Sequence, residues 1–174
     1  MPSPVLPATA FAARTRRIRL SLSVIVLPLY DVLRAAEDLA VLDVISDGRL
    51  EVVVGAGYRP AEYAMFGRSF AGRGSQVEDA VPLLRRAWSG EPFDHRGTTV
   101  RVTPVPVHQP GPPVLLGGSS PAAARRAARG ARRRRVRADR RTAGRGLSRR
   151  VRGARARAWP HDVPDRADVP PRVR

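Results

Sequence analysis

The sequence predicts an α/β fold built on a parallel β-sheet, and three features of residues 18–67 lead to this prediction. An apolar, β-branched run at Ile18–Leu27 comes first, a helical pattern at Asp31–Ile45 follows, and a second apolar run stands at Leu50–Val54. The glycine turn Gly55-Ala56-Gly57 closes the second run. Apolar strands that are joined by a helix are typical of parallel sheets covered on both faces.

The first part of the chain is predicted to alternate helices with strands. Pro4–Arg14 alternates alanine with larger apolar residues and predicts a short helix before the strand at Ile18–Leu27. The carboxylate of Asp31 can accept the free N–H groups in the first turn of the next helix. Gly48 is placed to end that helix, and the Leu50–Val54 strand follows it.

Four further elements follow from the same patterns: helices at Arg59–Phe66, Ser75–Trp88 and Pro121–Ala128, and a third buried strand at Pro112–Leu116. Pro82 lies inside the second of these helices, where a proline costs roughly 3 kcal/mol because it removes a hydrogen bond. Thr98–Val107 is predicted to be either a strand or an extended loop. Gly117-Gly118-Ser119-Ser120 connects the third strand to the last helix.

The composition indicates a protein encoded by GC-rich DNA. All 32 basic residues are arginine, and the chain contains no lysine, asparagine or cysteine. The absence of cysteine fits a reducing compartment without deciding it. Met1–Phe11 does not resemble a secretory signal, and no apolar stretch approaches the roughly 20 residues of a membrane-spanning helix. These features favour a cytoplasmic protein.

The net charge of +17 divides the chain into two parts, residues 1–129 and residues 130–174. The first part holds 16 arginines and 11 acidic residues, whereas the second holds 16 arginines and 4 acidic residues. The second part has Leu147 and Trp159 but no isoleucine, phenylalanine, tyrosine or methionine. Such a segment cannot bury enough apolar surface to offset chain entropy, so residues 130–174 are predicted to be a disordered, arginine-rich tail.

The segment from about Pro4 to Arg129 resembles the luciferase-like monooxygenases, the bacterial luciferase-type flavin- or deazaflavin-dependent oxidoreductases. Several sequence motifs carry the resemblance in the order and spacing of that family: Leu27-Pro28 at the end of the first strand, RAAEDLAVLD at Arg34–Asp43, Ser46-Asp47-Gly48-Arg49, Gly55-Ala56-Gly57-Tyr58, and Tyr63–Gly67.

The resemblance implies a TIM (β/α)8 barrel, of which residues 1–129 form about strands three to five with their helices. It implies oxidation by oxygen with reduced FMN, or hydride transfer with a deazaflavin coenzyme, on a small-molecule substrate that it does not identify. It also implies a frequently dimeric protein with no membrane partner and no specific nucleic-acid partner. The family's catalytic histidine precedes the matched part, so no residue is predicted to be catalytic and the chain alone is expected to be inactive.

The cofactor-binding residues are carried over from the same resemblance. The first strand is expected to pack against the flavin ring through a non-proline cis peptide at Leu22-Ser23. The ring or its ribityl chain is expected beside Gly55, Ala56, Gly57 and Tyr58. Gly118, Ser119 and Ser120 match the family's phosphate site, and glycine backbone, serine hydroxyls and a helix N-terminus suit an anion physically.

Taken alone, each of these motifs has a plainer interpretation. Gly55-Ala56-Gly57 is not a dinucleotide fingerprint, because Pro60 stands where that motif needs glycine, and it can be a simple turn. Gly117–Ser120 can be a turn followed by a helix cap. His95 and His108 lie in loop sequence without an evident partner and are expected to be solvated, and His161 receives no role. No metal site is predicted.

Two hypotheses concern the tail. Family members continue after the last helix with an Asp-Gly and aromatic strand, and codons for residues 130–137 can be chosen that read Ala-Arg-Asp-Gly-Val-Val-Tyr one base later. The first hypothesis is therefore a frameshift near Arg129. The alternative is a nucleic-acid-binding protein that acts through its arginines, which would bind phosphates without sequence preference. The tail's single aromatic residue and the lack of a binding module speak against it.

Overall fold

The computed structural model describes residues 3–118, 120–132 and 137–138. Their helices and strands are, in chain order, α1 (Val5–Arg14), β1 (Leu20–Val26), α2 (Val32–Ile45), β2 (Leu50–Gly55), α3 (Pro60–Met65), α4 (Arg73–Trp88), β3 (Phe93–His95), β4 (Thr98–Val100), β5 (Val114–Leu116), α5 (Pro121–Arg132) and β6 (Arg137–Ala138). A single 3-10 turn, Leu27–Leu29, follows β1. No helix in these ranges is long and apolar enough to cross a membrane.

The main sheet is parallel, with the strand order β1-β2-β5-β6. Leu20 of β1 pairs with Leu50 of β2, and Val52 of β2 pairs with Val114 of β5. The three strands expected from the sequence are therefore neighbours and run parallel, as predicted. Each connection between them contains at least one helix, which is what a parallel pair of strands requires.

A separate antiparallel hairpin, β3-β4, differs from the prediction for this region. It spans Phe93 to Val100, and only its second strand falls inside the expected Thr98–Val107 segment. Arg96 and Gly97 form its turn, and both have positive φ angles (55° and 77°). Two consecutive positive φ angles are the geometry of the tight turns that match strand twist, and an arginine in the first position hid this signal.

Regular structure passes the predicted boundary between Arg129 and Gly130. Helix α5 continues to Arg132, and the backbone of β6 pairs in parallel with β5. Alanine and arginine both favour helix, which fits the continuation of α5 past Gly130. A two-residue strand is held by backbone hydrogen bonds and needs no apolar side chain of its own. The predicted disorder of the remaining tail concerns positions outside the described residues.

The hydrophobic core lies between one face of the sheet and helices α1, α2 and α4. Alternate strand residues enter it, among them Leu20 and Leu22 of β1 and Val52 of β2. Trp88 is fully buried there, and its indole N–H donates a 2.9 Å hydrogen bond to the carbonyl oxygen of Ala36 in α2. This bond satisfies the polar atom that a buried tryptophan carries and fixes α4 against α2.

The start of α2 has the predicted cap. The Asp31 Oδ1 accepts hydrogen bonds from the backbone N–H groups of Leu33 at 2.9 Å and Arg34 at 3.1 Å. A cap of this kind contributes about 1 kcal/mol to helix stability. It places the helix directly after the 3-10 turn that ends β1.

Arg49 connects the end of α1 to the start of β2. Its guanidinium donates to four backbone carbonyl oxygens, those of Ala12 at 3.1 Å, Thr15 at 2.8 Å, Ile18 at 2.6 Å and Ser46 at 2.6 Å. Carbonyl groups at a helix end lack partners within the helix, so a cation suits this position. The Ser46–Arg49 motif of the family resemblance is therefore a structural element in this chain.

Candidate active-site cleft

A cleft of about 580 Å³ lies where β1, β2 and β5 end and where α4 and α5 begin. Ligands of parallel α/β sheets bind outside the carboxyl ends of the strands, which is the position of this cleft. Its size is within the range of about 300–1,000 Å³ that small-molecule sites occupy. The residues lining it are Val24, Gly55, Ala56, Gly57, Tyr58, Gly72, Arg73, Gly74, Gly117, Gly118, Ser120, Ala122, Ala123 and Arg126.

Six of the nine residues predicted to bind a cofactor line this cleft: Gly55, Ala56, Gly57, Tyr58, Gly118 and Ser120. They come from two turns far apart in the sequence, after β2 and after β5, and adjacent parallel strands bring these turns together. Ser119 lies outside the described residues. The binding of a cofactor by this set stays a prediction.

The contribution of β1 differs from the prediction by one to two residues. Leu22 is buried in the core between the sheet and the helices, and Ser23 is exposed without lining the cleft. Val24 occupies the cleft wall instead, and the non-proline cis peptide joins Ser23 to Val24 rather than Leu22 to Ser23. The reason is a shift in register between Ser23 and Ile25 against β2, which leaves Val24 as an extra residue facing the cleft.

Gly118 brings the backbone close to the start of α5. Its φ angle is +146°, and a Cβ added there would lie only 2.6 Å from the Cβ of Ala123. Both facts restrict this position to glycine, since other residues rarely adopt the conformation and have no room for a side chain. The cleft wall at this point is therefore bare backbone, which a ligand can approach closely.

Ser120 caps helix α5. Its Oγ accepts a 3.2 Å hydrogen bond from the backbone N–H of Ala123. The plainer interpretation of Gly117–Ser120 as a turn and helix cap is thus correct for Ser120. The same hydroxyl keeps its own proton for donation, because the cap uses the oxygen only as an acceptor.

The turn after β2 is supported by hydrogen bonds from Tyr63 and Arg73. The Tyr63 hydroxyl donates a 2.6 Å hydrogen bond to the carbonyl oxygen of Ala56, and Arg73 Nε donates to the carbonyl oxygen of Gly57 at 3.4 Å. Phe70 lies between them, with its ring 5.3 Å from that of Tyr63 in an edge-to-face contact and 3.7 Å from the Arg73 guanidinium carbon. These contacts give both carbonyl groups a partner within the protein.

Burial raises the pKa of the Tyr63 hydroxyl above its ordinary value of 10.0, although the nearby Arg73 opposes the shift. Tyr63 is 1% exposed. Its hydroxyl therefore stays protonated and donating throughout the neutral range. The sequence contained Tyr63 within a family motif but did not reveal that it supports the turn.

Among the described lining residues, the charged side chains are Arg73 and Arg126, and no carboxylate lines the cleft. Neither arginine was expected at the site from the sequence. Gly72-Arg73-Gly74 was the available signal for Arg73, because two glycines expose the backbone around a cation. Arg126 lay hidden among the many arginines of the last helix. The resulting cleft is cationic and suits an anionic ligand.

His108, which was expected to be solvated and without a partner, contacts Asp43 instead. Its Nδ1 lies 3.1 Å from Oδ1 of Asp43, and its backbone N–H donates to Oδ2 of Asp43 at 2.9 Å. Asp43 is fully buried, at the end of α2. The pair therefore joins the loop before β5 to the amino ends of the strands, opposite the cleft.

The other two histidines are not part of this contact. His95 is half-buried in β3, and His161 lies outside the described residues.

Comparison with known proteins gives a family and a fold. The family model for luciferase-like monooxygenases matches residues 1–167. The oxygenase component of the flavin-dependent trigonelline monooxygenase of Acinetobacter baylyi is 27% identical over 122 residues, which are 66% of this chain and 34% of that protein. The chain thus spans about a third of the length of the curated relatives it matches.

Two solved structures share the fold. The monooxygenase RslO1 from Streptomyces bottropensis has a TM-score of 0.64 and 33% identity, over 74% of this chain and 41% of that one. The oxygenating constituent of 3,6-diketocamphane monooxygenase from Pseudomonas putida, solved in complex with FMN, has a TM-score of 0.63 and 21% identity, over 75% and 41%. Because the family model matches residues 1–167, which is most of this chain, the chain belongs to the luciferase-like monooxygenase family.

Proposed function

We propose that this chain supplies the flavin-binding cleft of a flavin-dependent monooxygenase and that its cofactor is FMN. One observation carries the proposal. Six residues expected to bind the cofactor, in two turns distant in sequence, line a single cleft at the carboxyl ends of parallel strands. The relative from Acinetobacter baylyi is flavin-dependent, which supports the same class of cofactor.

The chemistry of the cleft fits FMN. Tyr58 and Val24 offer apolar surface for a planar ring, and Gly118 offers backbone that a ligand can approach. The two arginines and the Ser120 hydroxyl offer donors for a phosphate group. A bound reduced flavin supplies the electrons with which these enzymes activate oxygen. The chain's own residues bind and orient it, and none of them is assigned a proton-transfer step.

The larger architecture and the choice of flavin belong to this proposal as well. We place β1, β2 and β5 as about the third to fifth strands of a (β/α)8 barrel, in which the other strands would complete the active site. A deazaflavin coenzyme remains the alternative cofactor, with hydride transfer in place of oxygen activation. The small-molecule substrate is not identified by the described residues.

The proposal is tested by titrating the full chain with FMN, and separately with a deazaflavin coenzyme, while following cofactor fluorescence. Ala122→Glu is the informative variant, because residue 122 lines the cleft and is exposed in the first turn of α5. Glutamate suits the first turn of a helix, so the variant should fold, whereas its bulk and negative charge oppose a phosphorylated flavin.

We expect Ala122→Glu to raise the dissociation constant for FMN at least about tenfold, which corresponds to about 1.4 kcal/mol. Ala128→Glu is the matched control, since residue 128 is exposed on the same helix and does not line the cleft. Equal affinities for FMN in the two variants would contradict this location of the site. Tighter binding of the deazaflavin coenzyme than of FMN would replace the cofactor in the proposal.

A further inference from the structure

Arg126 reaches across the end of the cleft from α5 to α4. It is half-buried, and its guanidinium lies over Gly74 in the first turn of α4. A Cβ added to Gly74 would be 2.5 Å from Arg126 Nη1 and 3.2 Å from its Cζ. The missing side chain of Gly74 therefore provides the space in which the guanidinium lies.

The two arginines of the cleft have different surroundings. Arg73 donates to the carbonyl oxygens of Gly57 and Phe70 and stacks on the Phe70 ring. Its guanidinium therefore stabilises the turn after β2 and the segment before α4. Arg126 makes no hydrogen bond and no ion pair with any residue in the described ranges, although it lines the cleft. No carboxylate among the described lining residues compensates its charge.

A half-buried guanidinium with available donors calls for an anion. Its five N–H groups form a planar fork that matches the oxygens of a phosphate, and charge-assisted hydrogen bonds of this kind are among the stronger ones in proteins. The Ser120 hydroxyl at the start of α5 lines the same cleft and can donate to the same group. Both features point to a phosphate monoester rather than to a neutral ligand.

We infer that Arg126 determines the cleft's preference for the phosphorylated form of the flavin, FMN, over riboflavin, which ends in an uncharged hydroxyl. This inference rests on the proposed function, because it assumes that the cleft binds a flavin. It assigns to Arg126 the recognition of the terminal phosphate and leaves the ring to the turns after β1 and β2.

The test compares the full chain with Arg126→Gln and Arg125→Gln, each titrated with FMN and with riboflavin by fluorescence quenching. Arg125 is the matched control, because it is the neighbouring arginine of α5 and is exposed to solvent. Both variants lose one positive charge and keep every arginine of residues 130–174, so unspecific attraction changes equally. Thermal unfolding followed by circular dichroism checks that both variants fold, and Arg126→Lys serves as a second variant that retains the charge.

We expect Arg126→Gln to weaken FMN binding about ten- to hundredfold, as for the loss of a hydrogen bond between charged groups, and to leave riboflavin binding within about twofold. Arg126→Lys should lie between wild type and Arg126→Gln, and Arg125→Gln should match wild type. Inorganic phosphate should compete with FMN in the wild type and lose this effect in Arg126→Gln.

Two results would overturn the inference while leaving the proposed function intact. The first is binding of FMN and riboflavin with equal affinity by the wild type. The second is equal loss of FMN affinity in the Arg125→Gln and Arg126→Gln variants, which would show that only net charge matters. If the wild type binds neither flavin, the proposed function itself fails, and the inference fails with it.

Discussion

Tyr63, Phe70 and Arg73 show at the scale of single residues how this chain prepares a binding turn. The backbone after β2 has carbonyl groups that need partners, and two of them, those of Ala56 and Gly57, receive hydrogen bonds from Tyr63 and Arg73. Because these acceptors are satisfied within the protein, the cleft side of the turn stays free for a ligand. Tyr63 and Phe70 do not themselves line the cleft, whereas Arg73 does.

The replacement Tyr63→Phe should destabilise the protein by about 1–2 kcal/mol at neutral pH. It leaves the Ala56 carbonyl oxygen without the hydroxyl that now donates to it at 2.6 Å, and the loss of a hydrogen bond to a half-buried acceptor has a cost of this order. Urea-induced unfolding measures the change. An unchanged free energy of unfolding would show that water replaces the hydroxyl at this position.

The same residue predicts how stability depends on alkaline pH. The pKa of Tyr63 in the folded chain is raised above 10.0 by burial, so below pH 10.0 the hydroxyl is protonated in both the folded and unfolded chain and its contribution is complete. Above that pH the unfolded chain loses the proton first, and the free energy of unfolding falls until the raised pKa is passed.

We therefore expect Tyr63→Phe to lessen the loss of stability above pH 10.0. Some loss should remain, because burial and the charge of Asp38 also raise the pKa of Tyr30. Unfolding curves at several alkaline pH values measure both effects. An equally steep decline in the variant and the wild type would contradict the assignment to Tyr63.

At the scale of elements, α4 is continuous although it contains a proline. Pro82 lies inside Arg73–Trp88 and is exposed, so the ring points to solvent and the helix continues through it. The apolar residues on the other side, among them Val81 and Leu84, are buried in the core. The burial of this apolar face stabilises the helix by more than the proline destabilises it. The helix predicted from the apolar periodicity therefore continues through Pro82.

Replacing Pro82 by alanine should stabilise the protein by about 1–3 kcal/mol, because it restores a helical hydrogen bond and removes the clash of the ring with the preceding turn. Pro60→Ala is the matched control. Pro60 is the first residue of α3, where proline is favourable, so that change should not stabilise. Thermal unfolding of both variants measures the change in Tm. Equal shifts of Tm would contradict the assignment of a helix-interior penalty to Pro82.

At the scale of the whole molecule, the family match and the motifs end at different places. The family model extends to residue 167, whereas the motifs quoted above and the recognised resemblance end by Arg129. Backbone pairing between β5 and β6 shows that the sheet extends past this point as far as Ala138. The frameshift hypothesis concerns the same stretch of chain and is open to a direct genomic test.

We predict that one shifted reading frame of the coding DNA downstream of Arg129 encodes an Asp-Gly turn, aromatic residues and further alternating strands and helices. The composition of residues 130–174, with 16 arginines and no isoleucine, phenylalanine, tyrosine or methionine, is the reason for this expectation. Reading the DNA in three frames is the measurement. If neither shifted frame contains such patterns, the tail should be studied as a basic arm, beginning with the salt dependence of its binding to DNA and RNA.

The sequence by itself determined the order of the helices and of strands β1, β2 and β5, together with the two glycine turns of the cleft. These features depend on local rules: apolar periodicity sets the elements, Asp31 caps a helix, and glycine turns follow apolar strands. Because neighbouring parallel strands end at the same edge of a sheet, six residues of the predicted site met as expected.

Only the tertiary structure decided which side chains complete that cleft. Val24 lines the cleft, where Leu22 and Ser23 were predicted, because the register of β1 against β2 shifts by one residue. No local sequence pattern predicts such a shift. Arg126 meets Gly74, and His108 meets Asp43, because elements far apart in the sequence pack against each other. Contacts of this kind depend on the distance and angle between packed elements, and the periodicity of each element contains neither.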